Sequence, residues 1–215
     1  MSTTIPHLIW PGLQWKKILL ERGITHTSDD PNSPPTLINS HQEELNPDID
    51  FSHSYRLARL FGLSPDQKSF MFRMLQNLLP TRERQHRCGR SPSPACTFCG
   101  EPEDKIIHLF SCPQSIQVTT PLLECLSDHV ESITPRHIVN LDIRAPQSWE
   151  LPAAWLVATC LQFVWENRMA GKEATKDGCK AELSGRLVVM KDSKWKHYNI
   201  HNSVLLLEET LNLHW

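Results

Sequence analysis

Three cysteines and a histidine, spaced Cys96-x2-Cys99-x8-His108-x3-Cys112, constrain this chain more than any other feature of it. Four soft ligands fall within the seventeen residues CTFCGEPEDKIIHLFSC. Two cysteines separated by two residues let a tight turn present both thiolates to one ion, and Gly100 directly after them suits the turn. His108 and Cys112 are four residues apart, so on a helix they share one face and reach the same ion. Ile106, Ile107, Leu109 and Phe110 supply that helix with apolar residues, and Pro113 is expected to end it just past the last ligand. Hard cations avoid thiolates, which points to Zn²⁺. A Cys₃His set fills all four tetrahedral positions and leaves none for water or substrate, so the site reads as structural. The bland alternative is a chance cluster of buried cysteines around a core histidine. A bare Cys-x2-Cys would leave that alternative strong; the added His/Cys pair at helical spacing weakens it.

The flanking sequence is helical in pattern. Ser64 is placed to cap a helix, Pro65 fits its first position and Gln67 completes a capping box. Phe70, Met71, Met74, Leu75, Leu78 and Leu79 then form an apolar stripe, ended by Pro80. Before it, Tyr55–Phe61 reads as a helix stopped by Gly62. After it, Thr81 caps a short basic helix closed by Gly89. Further helices are expected over Ser115–Val130 with Pro121 breaking or restarting it, from Thr134-Pro135 toward Leu141, and over Ala153–Ala170, Lys176–Lys191 and Asn202–Leu213. Pro146 to Pro152 reads as a connection. No strand alternation of useful length and no internal repeat occur. The fold expected is therefore all-α: an irregular helical domain with an embedded Cys-Cys-His-Cys zinc knuckle. Its organisation divides into an irregular N-terminal segment and linker (1–50), a helical zinc-binding domain (51–145) and a C-terminal helical segment (146–215). Gln14–Arg22 is the one helix expected in the first of these, ahead of a Ser-, Pro- and Asn-rich stretch.

The chain has 215 residues and a net charge of −2, which by itself predicts no nucleic-acid partner. Its distribution says more. Residues 56–90 carry eight Lys/Arg against two Asp/Glu, while 91–150 carry three against eight. Positive charge therefore concentrates just before the metal motif. Arg82, Arg84, Arg87 and Arg90, in RERQHRCGR, could hold phosphates; the competing reading is a solvated helix face partly offset by Glu83. No signal peptide is visible and Leu151–Trp165 is short for a membrane span, so no membrane partner and a nuclear or cytoplasmic location are expected. Of seven cysteines, the four outside the motif (Cys88, Cys125, Cys160, Cys179) read as free thiols in a reducing compartment.

Leu78-Leu79-Pro80-Thr81-Arg82, then Arg87 and Arg90, then Ser93-Pro94-x-Cys96-x2-Cys99-Gly100, then His108-Leu109-Phe110-x-Cys112-Pro113 form an ordered set. It resembles the zinc-binding domain at the C-terminal end of reverse transcriptases of non-LTR (LINE-type) retrotransposons. The match covers about Leu75 to Pro113, with a looser one at Phe163-Val164-Trp165-Glu166-Asn167-Arg168, similar to a W-x-x-R helix that often follows. The resemblance implies a chain that once lay downstream of a polymerase and contacted RNA or DNA. The polymerase itself is missing: Asp29-Asp30 is the only Asp-Asp pair and reads as a loop, and no endonuclease constellation is present.

Other candidates favour bland readings. Lys191, Lys194, Trp195, Lys196, His197 and Tyr198 interleave cations with aromatics but read better as a helix end. His197-x3-His201 lacks a third ligand. The expected function is a non-catalytic, zinc- and nucleic-acid-binding module with no enzymatic activity. The alternatives are a zinc-stabilised protein-interaction module and an inert retrotransposon remnant.

Overall fold

Nine α-helices and no strand occur among the described residues of the computed structural model, which are 49–60, 62–103, 106–130, 132–192 and 201–215. The Gln14–Arg22 helix, the Asp29-Asp30 loop and the Lys194–Tyr198 stretch with His197 lie outside them. The helices are α1 (Phe51–Ala58), α2 (Pro65–Leu75), α3 (Arg82–Arg87), α4 (His108–Ser111), α5 (Pro113–Ser127), α6 (Pro135–Val139), α7 (Gln147–Met169), α8 (Lys176–Asp192) and α9 (His201–His214). The all-α architecture with an embedded Cys/His cluster is the one the sequence pattern predicts.

The local signals act as read. Ser64 Oγ accepts from the Gln67 N–H at 3.2 Å while Gln67 Oε1 accepts from the Ser64 N–H at 2.9 Å, closing the capping box that starts α2. Thr81 and Thr134 cap α3 and α6 through their hydroxyls. Asp50 caps α1, so that helix starts at Phe51, four residues before the first residue expected, and ends at Ala58. Leu78 falls outside α2: Asn77 takes a left-handed φ of 49° and the Leu78 N–H bonds the Arg73 carbonyl at 2.7 Å, which terminates the helix. Leu78 is left exposed while Phe70, Met71, Met74, Leu75 and Leu79 are buried.

Three prolines depart from expectation. Pro113 starts α5 rather than merely ending the ligand-bearing turn, because a missing N–H costs nothing at a first helical position. Pro121 neither breaks nor restarts α5, which runs through it. A mid-helix proline costs about 3 kcal/mol, and buried Val118, Leu122, Cys125 and Leu126 around it hold the helix in place. Pro152 lies inside α7, which begins at Gln147, so the expected connection over 146–152 is helix.

Helix α7 is the centre of the molecule. It is apolar nearly all round, the mark of a helix surrounded by others, and Ala153 through Leu161 are buried without interruption. It packs against α1, α2, α5, α8 and α9, so one core joins helices from both sides of residue 145. Gln67 ties α2 to it: the Nε2 donates to Thr159 Oγ1 at 2.8 Å, and that hydroxyl donates to the Trp155 carbonyl at 2.8 Å. Gly62 lies so close to α7 that a Cβ there would stand 2.8 Å from a methyl of Leu151. No helix among the described residues is long and apolar enough to cross a membrane.

Candidate metal centre

The segment between α3 and α5 has little regular structure, and its shape comes from the ligand spacing. Cys96 donates its N–H to the Glu101 carbonyl at 2.7 Å, Gly100 donates to the Cys96 carbonyl at 3.0 Å, and Glu103 donates to the Pro94 carbonyl at 3.1 Å. Ala95 and Pro102 face each other as an antiparallel bridge. Gly100 closes this small hairpin with φ 78°, in the left-handed region where a side chain is strained. The Phe98 N–H points back at Cys96 Sγ, 3.3 Å away. Turn and sulfur are thus built together.

His108 begins the one-turn helix α4, and Cys112 follows its last residue in extended conformation. The helical face shared by these two residues therefore needs only a single turn. The ligand atoms of Cys96, Cys99, His108 and Cys112 all lie within 4.8 Å of one another, a group that could hold a metal ion. Cys96 Sγ and Cys112 Sγ are 3.8 Å apart, and Cys99 Sγ lies 3.4 Å from His108 Nε2. Cys96, His108 and Cys112 are buried; Cys99 is half-buried.

The electrostatics show what such a cluster asks for. Burial pushes the Cys96 thiol up, but the N–H groups of Cys99 and Phe98, then His108 and the Arg168 guanidinium, outweigh it and bring it to about 6. Cys99 goes the other way, to about 11: burial raises it, the Glu101 N–H offsets part, and the sulfurs of Cys96 and Cys112 raise it further. Three thiols in one small volume resist joint ionisation, and a bound cation removes that obstacle.

Around the ligands stands a residue that spacing did not assign to them. Arg168, in the last turn of α7, donates from Nη2 to Cys96 Sγ at 2.8 Å and from Nη1 to Cys112 Sγ at 3.5 Å. Its Nε pairs with Glu103 Oε1 at 2.9 Å, and the two side chains are 6% and 4% exposed. The guanidinium also sits 5.7 Å over the Phe98 ring. Burial works against its charge, yet Glu103 and the Cys112 sulfur hold it protonated well above the ordinary range. Arg168 belongs to the W-x-x-R segment of the sequence, the only signal that pointed toward it.

The four arginines of the basic stretch do not form one set. The six-residue helix α3 has no buried residue, and it leans on the hairpin through the Glu83 N–H on the Glu103 carbonyl at 3.3 Å and His86 Nδ1 against the Ser91 carbonyl at 2.9 Å. Arg84, Arg87 and Arg90 are exposed; Arg82 is half-buried, with its Nε enclosed and without a hydrogen-bond partner. At 3.6 residues per turn, Arg84 and Arg87 stand about 60° apart and Arg82 about 160° from Arg84. Arg84 caps the Asn77 carbonyl, and Arg87 pairs with Glu83.

The remaining thiols are as expected free, Cys88 exposed and Cys125, Cys160 and Cys179 buried. Cys179 Sγ donates to Cys160 Sγ at 3.8 Å, with no disulfide between them. No protein-family model, curated protein or solved structure matches the chain.

Proposed function

We propose that this chain is a non-catalytic zinc-binding module that holds RNA or DNA through the arginines beside its zinc, as its resemblance to the C-terminal part of a non-LTR reverse transcriptase implies. The observation that carries the zinc assignment is the spacing of the four ligand atoms. Tetrahedral Zn²⁺, with bonds of about 2.3 Å to sulfur and 2.0–2.1 Å to nitrogen, requires a sulfur–sulfur edge of about 3.8 Å and a sulfur–nitrogen edge of about 3.5 Å. Cys96 and Cys112 are 3.8 Å apart and Cys99 and His108 3.4 Å, and no pair of ligand atoms is farther apart than 4.8 Å. All four positions are taken by protein, which favours a structural ion over a catalytic one.

Nucleic-acid binding is supported by Arg84, Arg87 and Arg90, exposed on or just after a helix that rests on the zinc hairpin. Each guanidinium has five donors, so pairing with Glu83 or Asn77 leaves donors for phosphate. Three phosphate contacts predict a slope of about −2.7 in log K against log salt for duplex DNA and about −2 for single strands. Fluorescence anisotropy with labelled RNA and DNA across salt measures it. The variant Arg84→Gln/Arg87→Gln/Arg90→Gln is expected to lose most of that slope while keeping its zinc. Tight binding that ignores salt, or none by the zinc-loaded protein, sinks the nucleic-acid reading. A protein-interaction module is the second reading, favoured by the exposed Val188 and Val189 of α8 beside a cleft of about 410 Å³ that reaches Trp155 and Met190.

A further inference from the structure

Arg168 is an unusual residue to find where it is. A guanidinium is expensive to bury, and it stays buried only where its donors are met and its charge is balanced. Here Glu103 balances it on one side, and on the other its two terminal nitrogens face sulfurs, not oxygens, at 2.8 Å and 3.5 Å. Those sulfurs belong to Cys96 and Cys112 and not to Cys99. Three thiolates and one imidazole around a dication carry a net charge of −1, and Glu103 adds a second negative charge, so the buried Arg168 offsets one of the two. Cys96 and Cys112 are also fully enclosed, whereas Cys99 borders an open cleft of about 570 Å³ together with Glu101, Ile107, His108 and Ser111.

Resting on the zinc reading above, we infer that Arg168 is a non-ligating fifth member of the metal centre: it donates to two of the three thiolates, positions Cys96 and Cys112, and leaves Cys99 as the one cysteine ligand open to soft electrophiles. N–H···S bonds draw electron density from a thiolate and lower its nucleophilicity, as outer-sphere partners generally tune the ligands they touch. The enclosed pair is shielded twice, by guanidinium and by burial; Cys99 is only half-buried and accepts no hydrogen bond from the guanidinium. Attack by an alkyl iodide then takes one course. The Cys99 sulfur lone pair forms the new S–C bond, the C–I bond breaks and iodide leaves, and the neutral thioether that remains is a poor ligand, so metal is released.

The test uses the zinc-loaded full chain in a Cys88→Ser background, which removes the one exposed thiol outside the centre. Iodoacetamide is added, alkylated peptides are mapped by mass spectrometry over time, and released zinc is followed with a chromogenic chelator. Cys99 is expected to react first and in step with zinc release, with Cys96 and Cys112 following only afterwards. Arg168→Met paired with Glu103→Gln, which leaves no orphaned carboxylate, is expected to weaken zinc 10- to 100-fold and to bring all three cysteines to similar rates. In the cobalt-substituted protein the same change moves the sulfur-to-cobalt charge-transfer band to lower energy, a readout that a purely structural role would leave in place. Arg168→Lys, which keeps the charge but cannot fork across both sulfurs and Glu103, falls between; it decides the matter if the double variant loses its helical circular dichroism. A wild-type chain that binds neither zinc nor cobalt overturns the metal reading itself, before any variant is made. A wild-type chain that loads metal, but whose variants keep affinity, band position and alkylation order, overturns the role of Arg168 alone. So does early alkylation of Cys96 or Cys112 in the wild type.

Discussion

On the zinc reading, chelating the metal is expected to unfold one stretch of this protein and spare the rest. Residues 91–103 and 106–112 hold the hairpin and the single turn α4, and their apolar anchors in the core are few: Leu109 and Ile106 are buried and Phe110 is half-buried against it. Burying two such side chains is worth about 1.5–3 kcal/mol each, set against about 10–16 kcal/mol from a structural zinc ion. The metal term is the larger of the two, so its loss removes much of what holds this segment. Helix α3 has no buried residue and rests on the hairpin, so it should loosen too. The core around α7 contains none of the ligands and keeps its packing. Hydrogen exchange with and without EDTA measures this residue by residue: protection across 91–112 should fall to near zero while α5 and α7 stay protected. Trypsin cleavage after Arg84, Arg87 and Arg90 should accelerate in parallel, and Cys99→Ser or His108→Ala should reproduce both changes without chelator. Equal protection of 91–112 in loaded and chelated protein would refute the reasoning, and so would simultaneous collapse of α7.

Gln67→Leu removes both an N-terminal cap and the donor to Thr159, and should cost about 1–3 kcal/mol in urea unfolding; a change under a few tenths would show that the buried bond contributes little. His129 stacks on Trp149 at 3.6 Å, and burial holds its imidazole below the usual pKa, with Asp128, His214 and Glu209 as smaller influences. A depressed histidine favours the neutral form when folded, so its contribution is present above the unfolded pKa of about 6.5 and is lost as pH falls below it. His129→Gln should therefore flatten the decline in stability between pH 7 and 5, read by chemical denaturation at both pH values. The Arg56–Glu150 pair holds the Glu150 carboxyl below its usual range. Its contribution is present above the ordinary glutamate pKa and lost as pH drops through the depressed one. With Arg56 half exposed it amounts to no more than about 1 kcal/mol, which Glu150→Gln should remove at pH 7, the difference from wild type shrinking as pH falls through the depressed pKa. In the folded, metal-loaded protein a thiol reagent should titrate Cys88 at once and leave Cys125, Cys160 and Cys179 untouched, since burial pushes Cys125 up to about 12 and Cys160 well above its ordinary value; rapid modification of any of these three would contradict the packing.

What was legible in the sequence was what neighbours in sequence decide. The capping box at Ser64, the threonine caps at Thr81 and Thr134, and the ligand spacing each rest on residues a few positions apart, and all appear as read. Termini set by unusual backbone were hidden: Asn77, and the buried Leu141 with φ 53°, adopt the left-handed region without a glycine to announce it. Prolines misled because their local cost is certain while the tertiary packing that overrides it is not local. Arg168 was visible only as the end of a W-x-x-R segment, and its contact with the ligands was not. Its partners Glu103 and Cys96 lie 65 and 72 residues away, a distance at which no periodicity or motif operates, and an arginine near a helix end reads as solvent-facing until the fold encloses it.

The bond from Arg168 to Cys112 spans 56 residues, and that span is also an interval of time. A ribosome adding about 5–20 residues per second completes all four ligands about 3–11 s before it adds the arginine. The nascent chain thus carries a full set of donors, still without their guanidinium partner, ahead of the end of α7. A metal captured at that stage would meet its ligands before their guanidinium partner, and the docking of α7 would bring Arg168 to Cys96 and Cys112 afterwards.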